Sequence, residues 1–429
     1  MRRLTAYLDS ARAGWFTQLD TGRVVFDVDA DWAGRAQGME VSLSLPKSRA
    51  HHDGTAPANY LAGLLPDDPE VVRRWASRFG VNAGNPMALL EHVGLDTAGG
   101  LQLSAVDAPR LDVPREWVPL TSDEIGQHLA DLRSDRTGWM FARPRPQNFS
   151  LAGVQGKFAL TDAHGGWALP LGGEPTTHII KPGASGFARQ GLNEHLTMRA
   201  AHHLGLPVAE SRMASFAGES AIVVARYDRV RVDGDVRRAH QEDLMQAFGL
   251  PGSRKYQSDG GPGMAQIAAL LRASLRAGQA EKTVREFLRL CGFNWVALAT
   301  DGHAKNFSLL HTPQGPRLAP GYDLASALPY PDIADRWTVR MAMRVGGHCR
   351  DRDIQARHWA REAQLAGLDP AEFLDSLREM AAGFAVGVDQ AVQESNLSAD
   401  DARLGAEYVT LARTRAAEVL RRLDHSAER

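Results

Sequence analysis

Over the first hundred residues, short strand-like runs of apolar and polar positions, "RLTAYLD", "RVVFDVD" and "EVSLSLP", alternate with turn residues. Short runs of this kind between turn signals predict strands. The spacing then becomes helical in "PEVVRRWASRFG" and "PMALLEHVG", so this stretch reads as a small α+β module. From about 105 to 245, Gly- and Pro-punctuated strands ("GKFALTD", "GWALPLG", "THIIKPG", "SAIVVARYDRV") accompany one helix, "LNEHLTMRAAHHLG". That combination predicts a mainly antiparallel sheet with a helix against it. From about 240 helices dominate, beginning near "QEDLMQAFG" and continuing through "MAQIAALLRASLRAG". In residues 282 to 299, Val284, Phe287, Leu288, Cys291, Trp295 and Leu298 recur at three- and four-residue steps, the spacing of a buried stripe. "LARTRAAEVLRRL" predicts a further amphipathic helix.

The stripe breaks at "ALATDGHAKNFSLL", which packs Asp301, Gly302, His303, Lys305 and Asn306 between two apolar segments. If the helix ends at "TDG", then "NFSLLHT" predicts a strand, "PQG" a turn and "PRLAPG" a returning strand, followed by "YDLASA". The two ends of a hairpin lie close in space, so Asp301, Asn306 and Asp323 can converge. Asn306 and Asp323 are the hard oxygen donors a magnesium ion takes alongside water and phosphate. Asp301 is placed to accept a proton from an incoming hydroxyl. The spacing D-x-x-x-x-N matches a protein-kinase catalytic loop, and Asp323 stands where such a kinase has the Asp of D-F-G, without its Phe and Gly. Taken alone, "DGHAKN" reads equally well as an Asp/Asn-rich turn closing a helix. His303 reads as a hydrogen-bonder within the loop, beside the nucleotide; Lys305 could touch the transferring phosphate.

The preceding sheet supplies matching parts. Lys181 ends the apolar strand "THIIKPG", where its ammonium could reach ATP phosphates, and Glu194 lies thirteen residues on, off the apolar stripe of its helix, where it could pair with Lys181. A solvated strand-end lysine and an exposed helix carboxylate are the plain alternatives. "SLAGVQGKFAL" offers a glycine turn, Ala152, Gly153, Val154, Gln155, Gly156 and Lys157, whose amides could wrap phosphate; it also reads as an ordinary hairpin turn. The strand "AIVVARYDR" runs into Ala225, Arg226 and Tyr227, where a hinge could bind adenine through its backbone. The order of parts argues for a bilobal phosphotransferase.

Length, charge and cysteines narrow this further. At 429 residues the chain suits two or three packed lobes. The expected division is 1–105, a small α+β domain; 106–239, a lobe with the glycine loop and ATP lysine; and 240–429, a helical lobe with the catalytic loop. A net charge of -2 excludes a global basic field. With two cysteines, Cys291 and Cys349, there is no disulfide framework or thiolate zinc cluster to expect, and a reducing compartment fits. "MRRLTAYLDSARAGW" lacks the apolar core of a secretory signal, and no run approaches a membrane span. A cytoplasmic protein with no membrane partner is expected.

The chain resembles the HipA-type toxin kinases of bacterial type II toxin–antitoxin operons. The likeness runs nearly end to end, through "VSLSLP", "YLAGLLPDD", "FSLAGVQGKFAL", "THIIKPG", "NEHLTMRAAHHLGLPVAES", "VARYDR", "HQEDLMQAFGLPGSRKYQSDGGPG", "ATDGHAKNFSLL" and "GYDLASALPY". The resemblance implies a serine/threonine protein kinase of α+β class, with a bilobal kinase-like core distantly similar to lipid kinases and a small N-terminal domain. It places the catalytic Asp on Asp301, magnesium ligands on Asn306 and Asp323, the ATP lysine on Lys181 and an autophosphorylation site on Ser150. A phosphate there would add roughly -1.5 to -2 charges beside the ATP phosphates and push the loop out. Family members phosphorylate translation components, notably aminoacyl-tRNA synthetases, and arrest growth in persistence. A helix-turn-helix antitoxin of the HipB type neutralises them and carries the operator-DNA specificity. Direct DNA contact from this chain would need a patch such as "RVRVDGDVRR", otherwise a solvated arginine-rich turn.

The family loop commonly reads G-A-Q-E-K-T, whereas Gly156 and Phe158 stand here at the Glu and Thr positions, and Ala225 replaces a frequent Glu. Main-chain contacts to ATP survive such changes. Two other functions remain: a kinase-like interaction subunit acting as antitoxin-bound co-repressor, and metal-dependent hydrolysis through Asp301 and His303, for which no other ligand spacing is present.

Overall fold

A computed structural model describes the chain except residues 36–38, 107–115, 144–146, 148, 164, 184–188, 333–334, 336–337 and 425–429. The chain divides into two compact units, Met1–Ala184 with Ala214–Ser253 and Ser308–Pro316, and Ser185–Met213 with Arg254–Phe307 and Arg317–Arg429. Both units are discontinuous in sequence.

In the first unit, β1 (Arg2–Leu8), β2 (Ala11–Gln18), β3 (Val24–Val28), β4 (His51–His52) and β5 (Gln102–Ser104) form one sheet in the order β4-β3-β2-β1-β5. Its antiparallel neighbours bury Leu4, Ala6, Phe16 and Phe26 on one face, and β1 buries Thr5 and Tyr7 on the other. "EVSLSLP" is not a strand. It forms a tight turn with a single bridge, Ser42 to Leu45, because the Ser42 hydroxyl and the Leu43 amide are drawn to the buried Glu242 carboxylate at 2.5 and 2.9 Å. The helix Pro69–Phe79 starts as its sequence dictates. Asp68 accepts from the Glu70 amide, Pro69 needs no partner for a missing N–H, and Gly80 closes the end in the left-handed region.

A second sheet runs β11-β9-β7-β8-β6, built from β6 (Trp117–Pro119), β7 (Phe158–Ala163), β8 (Gly166–Pro170), β9 (His178–Lys181) and β11 (Glu219–Ala225). The Ala214–Phe216 end of β10 (Ser211–Phe216) lies on its edge. The helix Ser122–Ser134, opened by a Thr121/Glu124 capping box, belongs to this unit. β12 (Arg229–Val232) and β13 (Asp235–Arg238) form a hairpin turned by Asp233 and Gly234, both at positive φ. "QEDLMQAFG" is mostly not helical: Gln241–Asp243 is strand β14, paired with β15 (Ser308–Leu310), and only Leu244–Ala247 makes a helical turn.

The second unit is mainly helical, with Gln190–His203, Met264–Ser274, Ala277–Val296, Ala356–Leu365, Pro370–Glu394 and Ala399–Asp424. It adds β16 (Arg317–Leu318), β17 (Arg340–Val345) and β18 (His348–Arg350). Phe287, Phe293, Trp295, Trp359, Phe373, Phe384 and Tyr408 fill its core. The helix expected over 282 to 299 starts earlier and ends at Val296. Leu298 takes a left-handed φ of 54°, and the Ala299 amide turns back to the Asn294 carbonyl at 2.7 Å. Leu298 is buried but no longer helical. Among the described residues no helix is long and apolar enough to cross a membrane.

Candidate active site

The second unit holds the whole "DGHAKN" block. Arg415, buried, caps the carbonyl end of the preceding helix, donating to Trp295 O at 2.7 Å and Val296 O at 3.3 Å. A cation suits the negative end of a helix. Arg415 is fixed in turn by a two-pronged ion pair with Asp351, at 2.7 and 2.8 Å. Burial opposes the Asp351 charge, but Arg415 and Arg422 outweigh it and hold the carboxyl below its usual range. The helix end before the loop is therefore rigidly held.

The loop closes on itself. The Asp301 carbonyl accepts from the His303 amide at 2.7 Å and from the Asn306 side-chain amide at 2.8 Å. Ala304–Asn306 form a single 3₁₀ turn, and the Ala304 amide is anchored on Lys255 O at 3.2 Å. Gly302 allows the close pass: a Cβ there would lie 2.4 Å from Asn294 Nδ2. The Asp301 carboxylate is 63% exposed and accepts from the Tyr256 hydroxyl at 2.6 Å. His303, buried, meets the Tyr256 ring edge-on at 4.9 Å, with Nε2 3.9 Å from Asp301 Oδ1. Lys305 is also buried, and its carbonyl accepts from the Tyr322 hydroxyl at 3.0 Å.

Asp323 follows Tyr322 and adopts a left-handed φ of 55°. Asp tolerates that region better than most residues, and backbone strain of this kind, on the order of 1–3 kcal/mol, gathers at functional sites. The segment after it is tied down by residues that the sequence reading passed over. Asn193 clamps Ser326, donating to its carbonyl at 2.7 Å and accepting from its amide at 3.2 Å. Thr197 donates to Asn193 and contacts the Tyr408 hydroxyl at 2.8 Å. The Ser326 hydroxyl and Ala327 amide bond Ala297 O and Leu298 O, at 2.6 and 2.9 Å. Asp301 and Asp323 are thus referenced to one helix end. The signal was present in "LNEHLT" beside Glu194, but polar residues on a helix ordinarily read as its wet face.

With its amide nitrogen bonded to Asp301, Asn306 keeps its carbonyl oxygen as a donor, and Asp323 offers a carboxylate. Both are hard-oxygen groups of the chemical kind magnesium takes alongside water and phosphate. Among the described residues no group of three or more His, Cys, Asp or Glu side chains could hold a metal.

The remaining candidates fall in the first unit, apart from Glu194. Gly153 has φ 105°, which glycine alone adopts readily, and a Cβ there would meet Lys157 Nζ at 2.5 Å. Its carbonyl accepts from the Asp67 amide at 2.9 Å. Lys157 is buried, with Nζ 5.3 Å from the centre of the Trp139 ring, while Val154 at the tip is exposed. Ala152, Gln155 and Gly156 complete a turn without regular structure. Lys181, buried, ends β9 opposite Ile222 of β11. Glu194 is buried on its helix in the second unit, so it is not the exposed carboxylate that a simple stripe suggests.

At the expected hinge, the Arg226 amide already donates to Thr177 O at 2.9 Å, so this group is not offered to adenine. Successive strand residues present their peptide groups to opposite sides, which turns that of Ala225, the last residue of β11, away from β9, while Tyr227 lies in the turn that follows, closed by the Arg229 amide on Arg226 O at 3.1 Å. The Arg226 side chain is structural. Asp96, Asp228, Arg226, Arg229 and Arg238 form a buried network, with Arg226 and Arg229 on Asp228 at 2.8 and 3.1 Å, and Arg229 and Arg238 on Asp96 at 2.8 and 3.1 Å. Burial resists these charges, but Arg226 and Arg229 still hold Asp228 ionised well below its usual range. "RVRVDGDVRR" is therefore not simply a solvated turn, since Arg229 and Arg238 are spent internally.

Two family models match the chain, a HipA N-terminal domain over residues 4–104 and a HipA-like C-terminal domain over 149–387. The chain belongs to the HipA family. It is 36% identical to Y4mE of Sinorhizobium fredii over 372 residues, 86% of each chain. It is 29% identical to the serine/threonine-protein kinase toxin HipA of Shewanella oneidensis over 427 residues, 91% of each chain. The solved structure of a Shewanella oneidensis HipA, in a complex with HipB and operator DNA, superposes with a TM-score of 0.84 at 26% identity, covering 98% of both chains. The α+β, kinase-like class expected from the sequence is the HipA fold.

Where this chain departs from the family loop, packing gives a reason. A Cβ on Gly156 would stand 3.2 Å from Leu132 Cδ1 and 3.3 Å from Arg136 O, so the loop lies too close to its neighbours for a glutamate without movement. Phe158 is fully buried in β7, edge-on to His128 and Phe141 at 4.7 and 5.3 Å. Ser150 is also fully buried, donating to Leu64 O at 2.6 Å while its amide bonds Asp96 O at 2.9 Å. A phosphate cannot be added to it without opening this segment.

Proposed function

We propose that this chain is the toxin of a type II toxin–antitoxin pair, an ATP- and magnesium-dependent kinase that phosphorylates Ser or Thr of a translation component of the aminoacyl-tRNA synthetase class. Growth arrest and persistence follow from that transfer. A helix-turn-helix antitoxin of the HipB type neutralises it in the cytoplasm and carries most of the operator-DNA contact, in keeping with the near-neutral chain.

The observation that supports this best is the exposed Asp301 carboxylate, held on a loop whose backbone is locked by Asn306 and whose side chain is steadied by Tyr256. Asp301 takes the proton of the acceptor hydroxyl as that oxygen bonds the γ-phosphorus and ADP leaves. Asn306 and Asp323 would hold the magnesium ion, which when bound supplies positive charge against the phosphate oxygens. Lys181 and the amides of Ala152 to Lys157 steady the nucleotide, with Glu194 and His303 in support. Ala225 and Tyr227 offer backbone to adenine, and Lys305 faces the transferring phosphate. Ser150 is the autophosphorylation site, reached once its segment opens.

Incubation with labelled ATP and magnesium, beside Asp301→Gln, tests this. Label on the chain or on a lysate protein, absent in the variant, is the expected result. No label, together with no ATP binding by titration calorimetry, leaves the second reading, a kinase-like subunit that acts as antitoxin-bound co-repressor. The HipA–HipB–operator assembly of the Shewanella relative keeps that reading in play.

A further inference from the structure

β17 and β18 form a two-stranded hairpin turned by Gly346 and Gly347, at φ 56° and 92°. Along β17, Met341, Met343 and Val345 are buried while Arg340 and Arg344 are exposed. Residues two apart in a strand share a face, so both guanidiniums project from one side. The register sets Arg340 directly opposite Arg350, which is exposed too. Directly opposed residues of an antiparallel pair also share a face, and like charges there repel. The nearby acids are engaged elsewhere: Asp351 is buried against Arg415 and Arg422, and Asp353 lies 3.6 Å from Arg352. Among the described residues, Arg340, Arg344 and Arg350 have no ion-pair partner.

This cationic face is fastened to the catalytic loop. The Ala342 amide donates to the carbonyl of Thr300, the residue before Asp301, at 3.1 Å. The Arg344 amide donates to Gln257 Oε1 at 2.6 Å, one residue beyond the tyrosine that holds Asp301. On the same loop, Lys255 binds Ala304 through its carbonyl. Local conflicts that a fold retains without internal compensation are expected where something else compensates them. Here the compensation must be anionic.

We propose that the β17–β18 hairpin is the docking surface for an acidic segment of the protein substrate, held beside Asp301. This deepens the kinase reading and rests on it for the identity of the docked molecule. A protein is favoured over nucleic acid on two grounds. The hairpin is bonded to the loop that holds the phosphoacceptor base, where a protein substrate must pass. The chain's net charge of -2 gives no broader basic field of the kind that a polyphosphate backbone exploits.

The test uses the full chain and three fluorescein-labelled peptides, each with one serine flanked by glutamates, by lysines or by neutral residues. Anisotropy without ATP should show the glutamate peptide bound about 10-fold or more tighter than the neutral one, weakening as salt rises. The triple variant R340E/R344E/R350E should lose that preference and favour the lysine peptide, with ATP affinity unchanged. With ATP present, its kcat/KM for the glutamate peptide should fall through KM. Equal binding of all three peptides by the wild-type chain, or an unaltered KM in the variant, overturns the proposal. Loss of binding to a 20-base-pair duplex or a tRNA, with peptide binding intact, overturns it in favour of nucleic acid. Absence of phosphate transfer to any protein defeats the kinase reading instead, and the anisotropy arm still decides the docking claim.

Discussion

The Tyr256 hydroxyl donates to Asp301 Oδ1 at 2.6 Å, and the same ring meets His303 edge-on at 4.9 Å. One oxygen of the carboxylate is thereby committed and its rotation restrained. Tyr256→Phe keeps the ring contact and removes only the hydroxyl. Since the contact is exposed to solvent, its loss should be worth about 1 kcal/mol, or roughly a 5-fold fall in kcat with KM for ATP unchanged. An unchanged kcat in steady-state phosphate transfer would count against a role for this hydroxyl in holding Asp301.

Ser150 presents a contrast of the opposite kind, because its hydroxyl is fully buried against Leu64 O. Ser150→Asp sets a carboxylate against a carbonyl without a donor, which burial penalises severely. The glycine loop should be displaced, with ATP affinity at least about 10-fold weaker by calorimetry and faster proteolysis near residues 150 to 157. Ser150→Ala should cost only about 1 kcal/mol and leave ATP affinity close to wild type.

Arg415 and Asp351 hold the helix end that leads into the Asp301 loop. Arg415→Ala leaves Asp351 short of one of its two arginines and uncaps the helix end at Trp295 and Val296. Breaking one side of a buried pair costs about 3–5 kcal/mol, measurable by urea denaturation. Because the Asp351 carboxyl is held below its usual value, this stability is present above the ordinary carboxylate range. It is lost as pH falls through the lowered folded value.

His195 sets a second pH dependence. It is buried between the Ser211 and Ser395 hydroxyls, each at 2.9 Å, and burial, with help from Arg199, pushes its pKa down to about 4. The unfolded chain binds a proton near pH 6.5 that the folded chain refuses until about pH 4. Stability should therefore be full above pH 6.5 and decline between there and pH 4, by up to about 1.4 kcal/mol per pH unit from this group. Denaturation midpoints at pH 7 and pH 5 should converge in His195→Gln.

Local chemistry made much of this chain legible in one dimension. Strand-like runs marked β1 and β3, Pro69 and Gly80 bounded a helix, and the six residues of "DGHAKN" carried the candidate base and one candidate metal donor at kinase spacing. Those signals lie within one turn or one strand, where side-chain period and backbone preference are set by near neighbours. Contacts made across tens or hundreds of residues left no such mark. Ser42 reads as part of a strand until Glu242, two hundred residues on, draws it into a turn.

The sequence alone determined which groups are available: a glycine turn, a lysine, an acid and an amide, in that order. Tertiary structure alone decided what fixes them. Asn193 reaches Ser326, Arg415 reaches a helix end 119 residues earlier in the chain, and the Arg226 amide is spent on Thr177 instead of a nucleotide. Hydrogen bonds and buried charges choose partners by distance and desolvation, and neither is defined until the chain has closed on itself.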